Sequence, residues 1–154
     1  LGVRSSAAIA SFLSIYVTLM FDNVHHIHTS SNAEMFEQMI RIDKDDVVIG
    51  ISFPRYSSRT VKAMKFAYDR GATVIALTDS LAAPIARNAT HTLIAMSDMV
   101  SLVDSLVAPL SVVNALIVAC SYRKEEAISK TFANLEEIWD EYGVYEKVDD
   151  LGGV

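Results

Sequence analysis

The sequence predicts an α/β protein, a three-layer α/β/α sandwich around a doubly wound, flavodoxin-like parallel sheet of about five strands. Strand-like and helix-like segments alternate along the chain, which is typical of a parallel sheet covered by helices on both faces. Val47–Ile51 and Thr73–Thr78 are apolar at nearly every position, as strands buried on both faces are. The chain has 154 residues, of which 51% are apolar, and this is enough for one domain with a buried core.

Three further segments complete the predicted sheet. Leu1-Gly2 resembles the last residue of a strand and its loop, so we expect the chain to begin inside a first βα unit whose strand lies mostly upstream. Residues 24–28 (VHHIH) and 92–96 (TLIAM) have the composition and length of short strands. Right-handed crossovers between these strands would place helices on both faces of the sheet.

The helices are predicted from apolar spacing and from residues typical of helix ends. Ser31 or Asn32 is expected to cap a helix over residues 33–41, because short polar side chains accept hydrogen bonds from free N–H groups there. Residues 58–70 have helical apolar spacing, and Gly71 just beyond them is typical of a helix C-terminus. The other predicted elements are a short helix or turn over residues 84–87, longer helices over residues 100–121 and 125–142, and a frayed tail over residues 143–154, so that the domain covers residues 1–142.

Charge and apolar patterning exclude several classes of protein. The formal net charge is −6, so this domain lacks the basic surface that would hold DNA phosphates by itself. The single cysteine, Cys120, permits no disulfide within the chain, and no signal-peptide pattern opens the sequence, so we expect a cytoplasmic protein. The longest apolar stretch, residues 106–120, contains Pro109, Ser111 and Asn114 and is too short and too polar to span a bilayer.

Hydroxyl and arginine side chains follow two of the predicted strands. In parallel sheets, ligands bind at the carboxyl ends of strands, where free N–H groups and the helix dipole favour anions. Each loop alone is weak evidence, because a serine before a helix is usually a cap and an arginine in a loop is usually solvated. Two such loops at equivalent junctions favour a phosphate site. The candidate residues are Arg4, Ser5 and Ser6 in the first loop and Ser52, Arg55 and Ser57 in the second.

Three ordered motifs resemble the SIS (sugar isomerase) domain family. Residues 2–7 (GVRSSA) resemble its first motif, commonly Gly-x-Gly-x-Ser, and residues 51–57 (ISFPRYS) resemble its second, commonly Ser-x-Ser-Gly-x-Thr. Residues 77–80 (LTDS) and 83–86 (APIA) resemble a Thr-Asp-x motif with a Ser-Pro-Leu-Ala-like segment. The resemblance covers residues 1–142 and implies a phosphosugar-binding domain, in which hydroxyls and backbone amides surround the phosphate.

The same resemblance implies which residues hold the phosphate and what kind of protein contains the domain. Arg4 and Arg55 stand where the family has glycines, and Pro54 stands where it often has a second serine. These variants are similar to the motifs of RpiR-type transcription regulators, in which a helix-turn-helix domain precedes the SIS domain. The phosphate-binding role carries over to Ser6, Ser52 and Ser57, with Ser5 beside them.

Two functions of different classes follow. The first is a non-catalytic sensor domain of an RpiR-type regulator, which binds a phosphosugar without a cofactor or metal while a separate N-terminal domain contacts DNA. The second is an aldose–ketose phosphosugar isomerase, which needs a general base. Asp104 best matches the family's catalytic glutamate, although aspartate is one methylene shorter; otherwise Asp104 lines the pocket. A third reading is a SIS-like domain that has lost ligand binding, because Pro54 has no N–H donor.

The sequence also predicts a homodimer. Residues 102–120 and 132–139 carry more apolar area than one small sheet needs to cover, and homodimers are the commonest symmetric assembly. In a strand, His26 and His28 would share one face. Two histidines without a placed carboxylate or cysteine make a poor metal site, so we expect these side chains at a surface or a subunit interface.

Overall fold

The core of the fold is a parallel sheet of three strands. A computed structural model of the chain describes residues 1–28, 30–100 and 103–146. In it, the sheet order is β1-β2-β3, and both pairs of neighbouring strands are parallel. The strands are β1 (Val47–Ile51), β2 (Thr73–Thr78) and β3 (His91–Ile94).

The first two residues lie beside β1, as the sequence predicts for the end of an earlier strand. Gly2 forms a parallel bridge with Ile51. The Leu1 amine donates to the Ile49 carbonyl at 2.8 Å, and the Ile51 N–H donates to the Leu1 carbonyl at 2.9 Å. A Cβ on Gly2 would overlap the backbone of Ser6, so only glycine permits this tight passage from the sheet edge into the following helix.

Helices cover both faces of the sheet. On one face, α2 (Asn32–Gln38), α3 (Ser58–Asp69) and a 3₁₀ helix (Pro84–Asn88) enclose buried side chains that include Met35, Met64 and Val74. The other face is covered by α1 (Ser5–Thr18) and α4 (Val107–Arg123), which pack Ile9, Leu13 and Val113 against Ile51 and Leu77. The predicted three-layer sandwich is therefore confirmed.

The last helix, α5 (Glu125–Glu141), contacts α4 rather than the sheet. None of its described side chains is fully buried, and Phe132 and Ile138 are exposed. No helix in the described part of the chain is long and apolar enough to cross a membrane.

The predicted strand over residues 24–28 is wrong, because these residues form no strand. A strand needs a neighbouring backbone with which to pair, and in the described part of the chain residues 24–28 pair with no strand of the sheet. Ile27 nevertheless joins the buried core, and the rings of His26 and His28 lie 5.8 Å apart.

Several predicted boundaries also change. The helix predicted over residues 100–121 begins only at Val107, with Pro109 in its first turn, where a missing N–H costs little. Before it, β4 (Met99–Val100) pairs antiparallel with β5 (Val103–Asp104). Residues 101–102 and most of the predicted tail, residues 147–154, lie outside the described residues. Gly71 adopts a φ of 87° beyond α3, as predicted for a glycine at a helix C-terminus.

Candidate functional site

A cavity of about 340 Å³ opens at the carboxyl ends of Leu1-Gly2 and β1, between the N-termini of α1 and α3. All seven residues predicted from the sequence line it, together with six further residues that were not predicted as site residues, among them Asn32 and Arg59. The sequence offered no signal for these two, because they lie on different helices that only the fold brings together. The lining residues are Val3, Arg4, Ser5, Ser6, Asn32, Ser52, Phe53, Pro54, Arg55, Ser57, Ser58, Arg59 and Asp104.

The loop after β1 is held in place by two serine hydroxyls. Ser52, only 3% exposed at the end of β1, accepts a hydrogen bond from the Ser57 N–H at 3.1 Å. Ser57 caps α3, and its hydroxyl accepts from the Thr60 N–H at 3.3 Å. Because a hydroxyl has one proton and two lone pairs, both side chains keep a proton to donate to a ligand.

The loop before α1 leaves a helix N-terminus open to the cavity. Arg4 occupies the N-cap position and makes no side-chain capping bond. The first N–H groups of a helix have no intrahelical acceptor, and together with the helix dipole they attract anions. Ser6, 5% exposed, lies in the first turn of this helix and lines the cavity. The cavity thus has an anion-binding helix terminus on two sides, since α3 begins opposite.

Arg4 and Arg55 adopt the backbone conformation of glycine. Their φ angles are 58° and 63°, in the region that side chains with a Cβ rarely occupy. These are the two positions at which the SIS motifs commonly have glycine. Glycine would adopt these angles freely, so each arginine carries conformational strain.

A hydrogen-bonded strap fixes the same loop from outside the cavity. The Tyr56 hydroxyl donates to the Asp79 carboxylate, at 3.0 Å to Oδ1 and 3.2 Å to Oδ2, and the Thr78 hydroxyl donates to Asp79 Oδ1 at 3.1 Å. Burial, followed by the hydrogen bond with Asp79 and its negative charge, raises the pKa of Tyr56 above its ordinary value. The strap ties the loop after β1 to the end of β2. Sequence motifs pointed to Thr78 and Asp79 but missed their partner Tyr56.

Asp104 lies in β5, ahead of α4, and not on the helix predicted for it. Its carboxylate accepts a hydrogen bond from the Ser5 hydroxyl at 3.3 Å. On the cavity wall, this carboxylate is placed to accept hydrogen bonds from hydroxyl groups of a ligand. Arg59 and Asn32 meet on the same wall, where the Arg59 Nε donates to the Asn32 Oδ1 at 2.9 Å and joins α3 to α2.

Comparisons with known proteins agree with this geometry. The SIS domain family matches residues 1–119 of the chain. The sugar isomerase domain of an RpiR transcription factor from Sphaerobacter thermophilus superposes with a TM-score of 0.78 and 30% identity, covering 88% of this chain and 75% of that one. The NanR protein of Vibrio vulnificus, solved in complex with ManNAc-6P, superposes with a TM-score of 0.75 and 18% identity, covering 92% of this chain and 55% of that one.

One curated relative is similar over a shorter region. An uncharacterized HTH-type transcriptional regulator from Haemophilus influenzae (strain ATCC 51907 / DSM 11121 / KW20 / Rd) is 36% identical over 66 residues. These residues make up 43% of this chain and 23% of the regulator, so the chain spans only a part of such a protein. From the family match over residues 1–119 and the similarity to the RpiR domain, we conclude that the chain belongs to the SIS domain family.

Proposed function

We propose that this chain is the phosphosugar-binding sensor domain of an RpiR-type transcription regulator. The observation that carries the proposal is the convergence of two hydroxyl-bearing loops and two helix N-termini on one cavity. Backbone N–H groups and hydroxyl donors at such positions suit a phosphate group. The ligand complex of the structurally similar NanR protein supports the same class of ligand.

In this proposal, the phosphate lies among Ser6, Ser52 and Ser57, and the sugar extends towards Asp104. The serine protons and the uncapped N-terminus of α1 donate to the phosphate oxygens, and the dipole of α3 adds to the attraction for the anion. The Asp104 carboxylate accepts from a sugar hydroxyl. Pro54 removes one N–H donor from the loop, but the donors of both helix ends line the same cavity, so the pocket remains functional without it.

The partners follow from charge and surface. With a net charge of −6, the domain contacts DNA only through a separate domain of the regulator, in the cytoplasm. The domain forms a homodimer through α4 and α5, where Phe132, Ile138 and Tyr142 are exposed. Ligand binding shifts the dimer between two arrangements that have different affinities for the phosphosugar, since only a difference in affinity couples the two sites.

The first test is thermal melting of the chain against a panel of sugar phosphates and their unphosphorylated parents. Binding to the folded state raises the melting temperature by mass action. We expect stabilisation by a phosphosugar, none by its parent, and loss of the effect in the Ser6→Ala, Ser52→Ala double variant. A Ser11→Ala, Ser30→Ala double variant, which changes two exposed serines outside the cavity lining, should keep it. Stabilisation that survives the first double variant, or that no phosphosugar produces, would contradict the proposal.

A second measurement separates the sensor from the isomerase, because the Asp104 carboxylate lies on the wall of the cavity. The stabilising phosphosugar is incubated with the chain and followed by NMR. A sensor leaves the ligand unchanged. Conversion between aldose and ketose forms, lost in an Asp104→Asn variant, would instead identify an enzyme that uses this carboxylate as its base.

A further inference from the structure

We propose that the ligand of the cavity carries a carboxylate in addition to its phosphate, and that Arg4 and Arg55 bind this second anion. The chemical class is a phosphorylated sugar acid. This inference rests on the proposed function, since it assumes that a sugar phosphate occupies the cavity. It adds a specificity that neither the fold nor the family implies.

The cavity has hydrogen-bond donors for the phosphate besides the two arginines. The hydroxyls of Ser52 and Ser57 each accept one backbone hydrogen bond and keep a proton for a ligand. The N-terminus of α1 has no side-chain cap, so its first N–H groups are open to an anion. A phosphate group is thus bound by hydroxyls and helix ends, and the two guanidinium groups add positive charge beyond them.

Both arginines have a strained backbone conformation. Arg4 and Arg55 have positive φ angles, at which glycine would be free of strain. Both line the same cavity. Binding of the ligand by these two side chains explains why conformational strain occurs at two positions of one cavity. Glycine at either position would preserve the backbone path and the phosphate donors but would remove the charge.

The side chains of the two arginines add positive charge to the cavity lining. Arg4 and Arg55 are exposed, and neither guanidinium has a hydrogen bond or an ion pair with another described residue. The cavity lining contains three arginines and a single carboxylate, that of Asp104, although the whole chain is acidic with a net charge of −6. Positive charge is therefore concentrated at this cavity, although the net charge of the whole chain is negative.

The second anion in this proposal is a carboxylate. A guanidinium presents its N–H groups in a planar fork that matches the two oxygens of a carboxylate, and such paired bonds are stronger than neutral hydrogen bonds. A sugar acid phosphate holds a carboxylate and a phosphate at opposite ends of a short chain of carbons. Helix ends and hydroxyls would bind the phosphate, while Arg4 and Arg55, which line the same cavity, would bind the carboxylate.

The test compares ligand pairs that differ only in the carboxylate. Sorbitol 6-phosphate is measured against 6-phosphogluconate, and ribitol 5-phosphate against 5-phosphoribonate, by isothermal titration calorimetry on the chain. We expect at least one acid to bind about tenfold or more tightly than the member of its pair that lacks the carboxylate, in keeping with a charge-assisted bidentate contact. The preference should weaken with added salt.

Two sets of variants separate charge from strain. Arg4→Gln with Arg55→Gln removes the charge and keeps a side chain at positive φ, whereas Arg4→Gly with Arg55→Gly removes both. Both double variants should lose the preference for the acid, because their affinity for the acid falls more than their affinity for the phosphosugar without a carboxylate. The glycine variant should also melt no lower than the parent chain. Arg87→Gln, an exposed arginine outside the cavity lining, is the matched control and should keep the preference.

The outcomes distinguish this inference from the proposed function. Equal affinity for both members of every pair that binds would overturn the inference and leave phosphosugar binding intact. An acid preference that survives in the glutamine variant would also overturn it, because the arginines would then not be its source. Binding of neither member of any pair would count against both the inference and the proposed function.

Discussion

The Tyr56 hydroxyl donates a hydrogen bond to the Asp79 carboxylate, 3.0 Å from Oδ1, across a gap between two loops of the sheet. Tyr56 belongs to the loop that carries Ser52 and Ser57, and Asp79 follows β2 directly. The bond is made outside the cavity, whose lining does not include Tyr56. It therefore holds the loop of Ser52 and Ser57 from outside the cavity.

Replacing Tyr56 by phenylalanine should lower both stability and ligand affinity. The substitution leaves Asp79 with only the Thr78 hydroxyl among the side-chain donors described above. A hydrogen bond to a charged group contributes about 1.5 to 3 kcal/mol to the free energy of unfolding, and we expect a loss of this size in urea denaturation. Tyr68→Phe is the control, because Tyr68 is exposed on α3 and its variant should unfold like the parent chain. An unchanged unfolding free energy for Tyr56→Phe would show that the strap has no structural role.

The same tyrosine predicts how stability depends on alkaline pH. Burial, with the hydrogen bond and the charge of Asp79, raises the pKa of Tyr56 in the folded chain, whereas the unfolded value is about 10. The folded state therefore retains the proton when the unfolded state releases it. The stabilisation is complete below pH about 10 and is lost as the pH rises through the folded pKa. Denaturation measured at several values above pH 9 should show a steeper loss for the parent chain than for Tyr56→Phe; parallel curves would contradict this.

Gly50→Ala should destabilise the sheet through its contact with α3. A Cβ at position 50 would overlap the Sδ of Met64, which is fully buried in the core. Overpacking of this kind costs about 1 to 3 kcal/mol of unfolding free energy. In a Met64→Ala background the methionine is absent, so the added methyl group should cost much less. Equal costs in both backgrounds, measured by chemical denaturation, would rule out this clash as the cause.

The proposed homodimer predicts which face of α5 tolerates charge. Ile128, Phe132, Leu135, Ile138 and Trp139 lie on one side of the helix by their spacing and are half-buried or exposed. Phe132→Glu with Ile138→Glu should convert a dimer into a monomer in light-scattering measurements, because an interface core excludes unpaired charge. Ala133→Glu adds charge on the opposite side of α5 and should leave the dimer intact. A monomeric parent chain, or dissociation by Ala133→Glu alone, would remove α5 from the interface.

Substitution of Ser57 should separate loop order from phosphate binding. Its hydroxyl caps α3 by accepting from the Thr60 N–H, so Ser57→Ala should cost about 1 kcal/mol of stability and should also weaken phosphosugar binding. Ser57→Asp retains a capping oxygen but puts a negative charge beside the phosphate. We therefore expect the aspartate variant to melt near the parent temperature without ligand and to lose binding more completely than the alanine variant, in melting scans with and without ligand.

Several strands and helix ends of this protein are determined by short stretches of sequence and depend little on the rest of the chain. Val47–Ile51 and Thr73–Thr78 form strands where their apolar runs predict them, because only burial on both faces suits such runs. Ser31 caps the start of α2 through its side chain, and Gly71 follows the end of α3 at a positive φ, as the sequence predicts. The six loop residues that line the cavity were also predictable, since carboxyl ends of parallel strands meet at one edge of a sheet, whereas Asp104 was a candidate only through the family resemblance.

Tertiary structure alone decided the rest. Residues 24–28 have a strand's composition, but a strand exists only where another backbone accepts its hydrogen bonds, and that partner depends on the sheet edge. Asp104 falls within the helix predicted over residues 100–121, whereas antiparallel pairing with β4 places it in the strand β5. Tyr56 and Asp79 are 23 residues apart, and no local pattern joins them. Periodicity and capping are properties of neighbouring residues, so the sequence determines them by itself, whereas pairing across the fold depends on distances that only the folded chain creates.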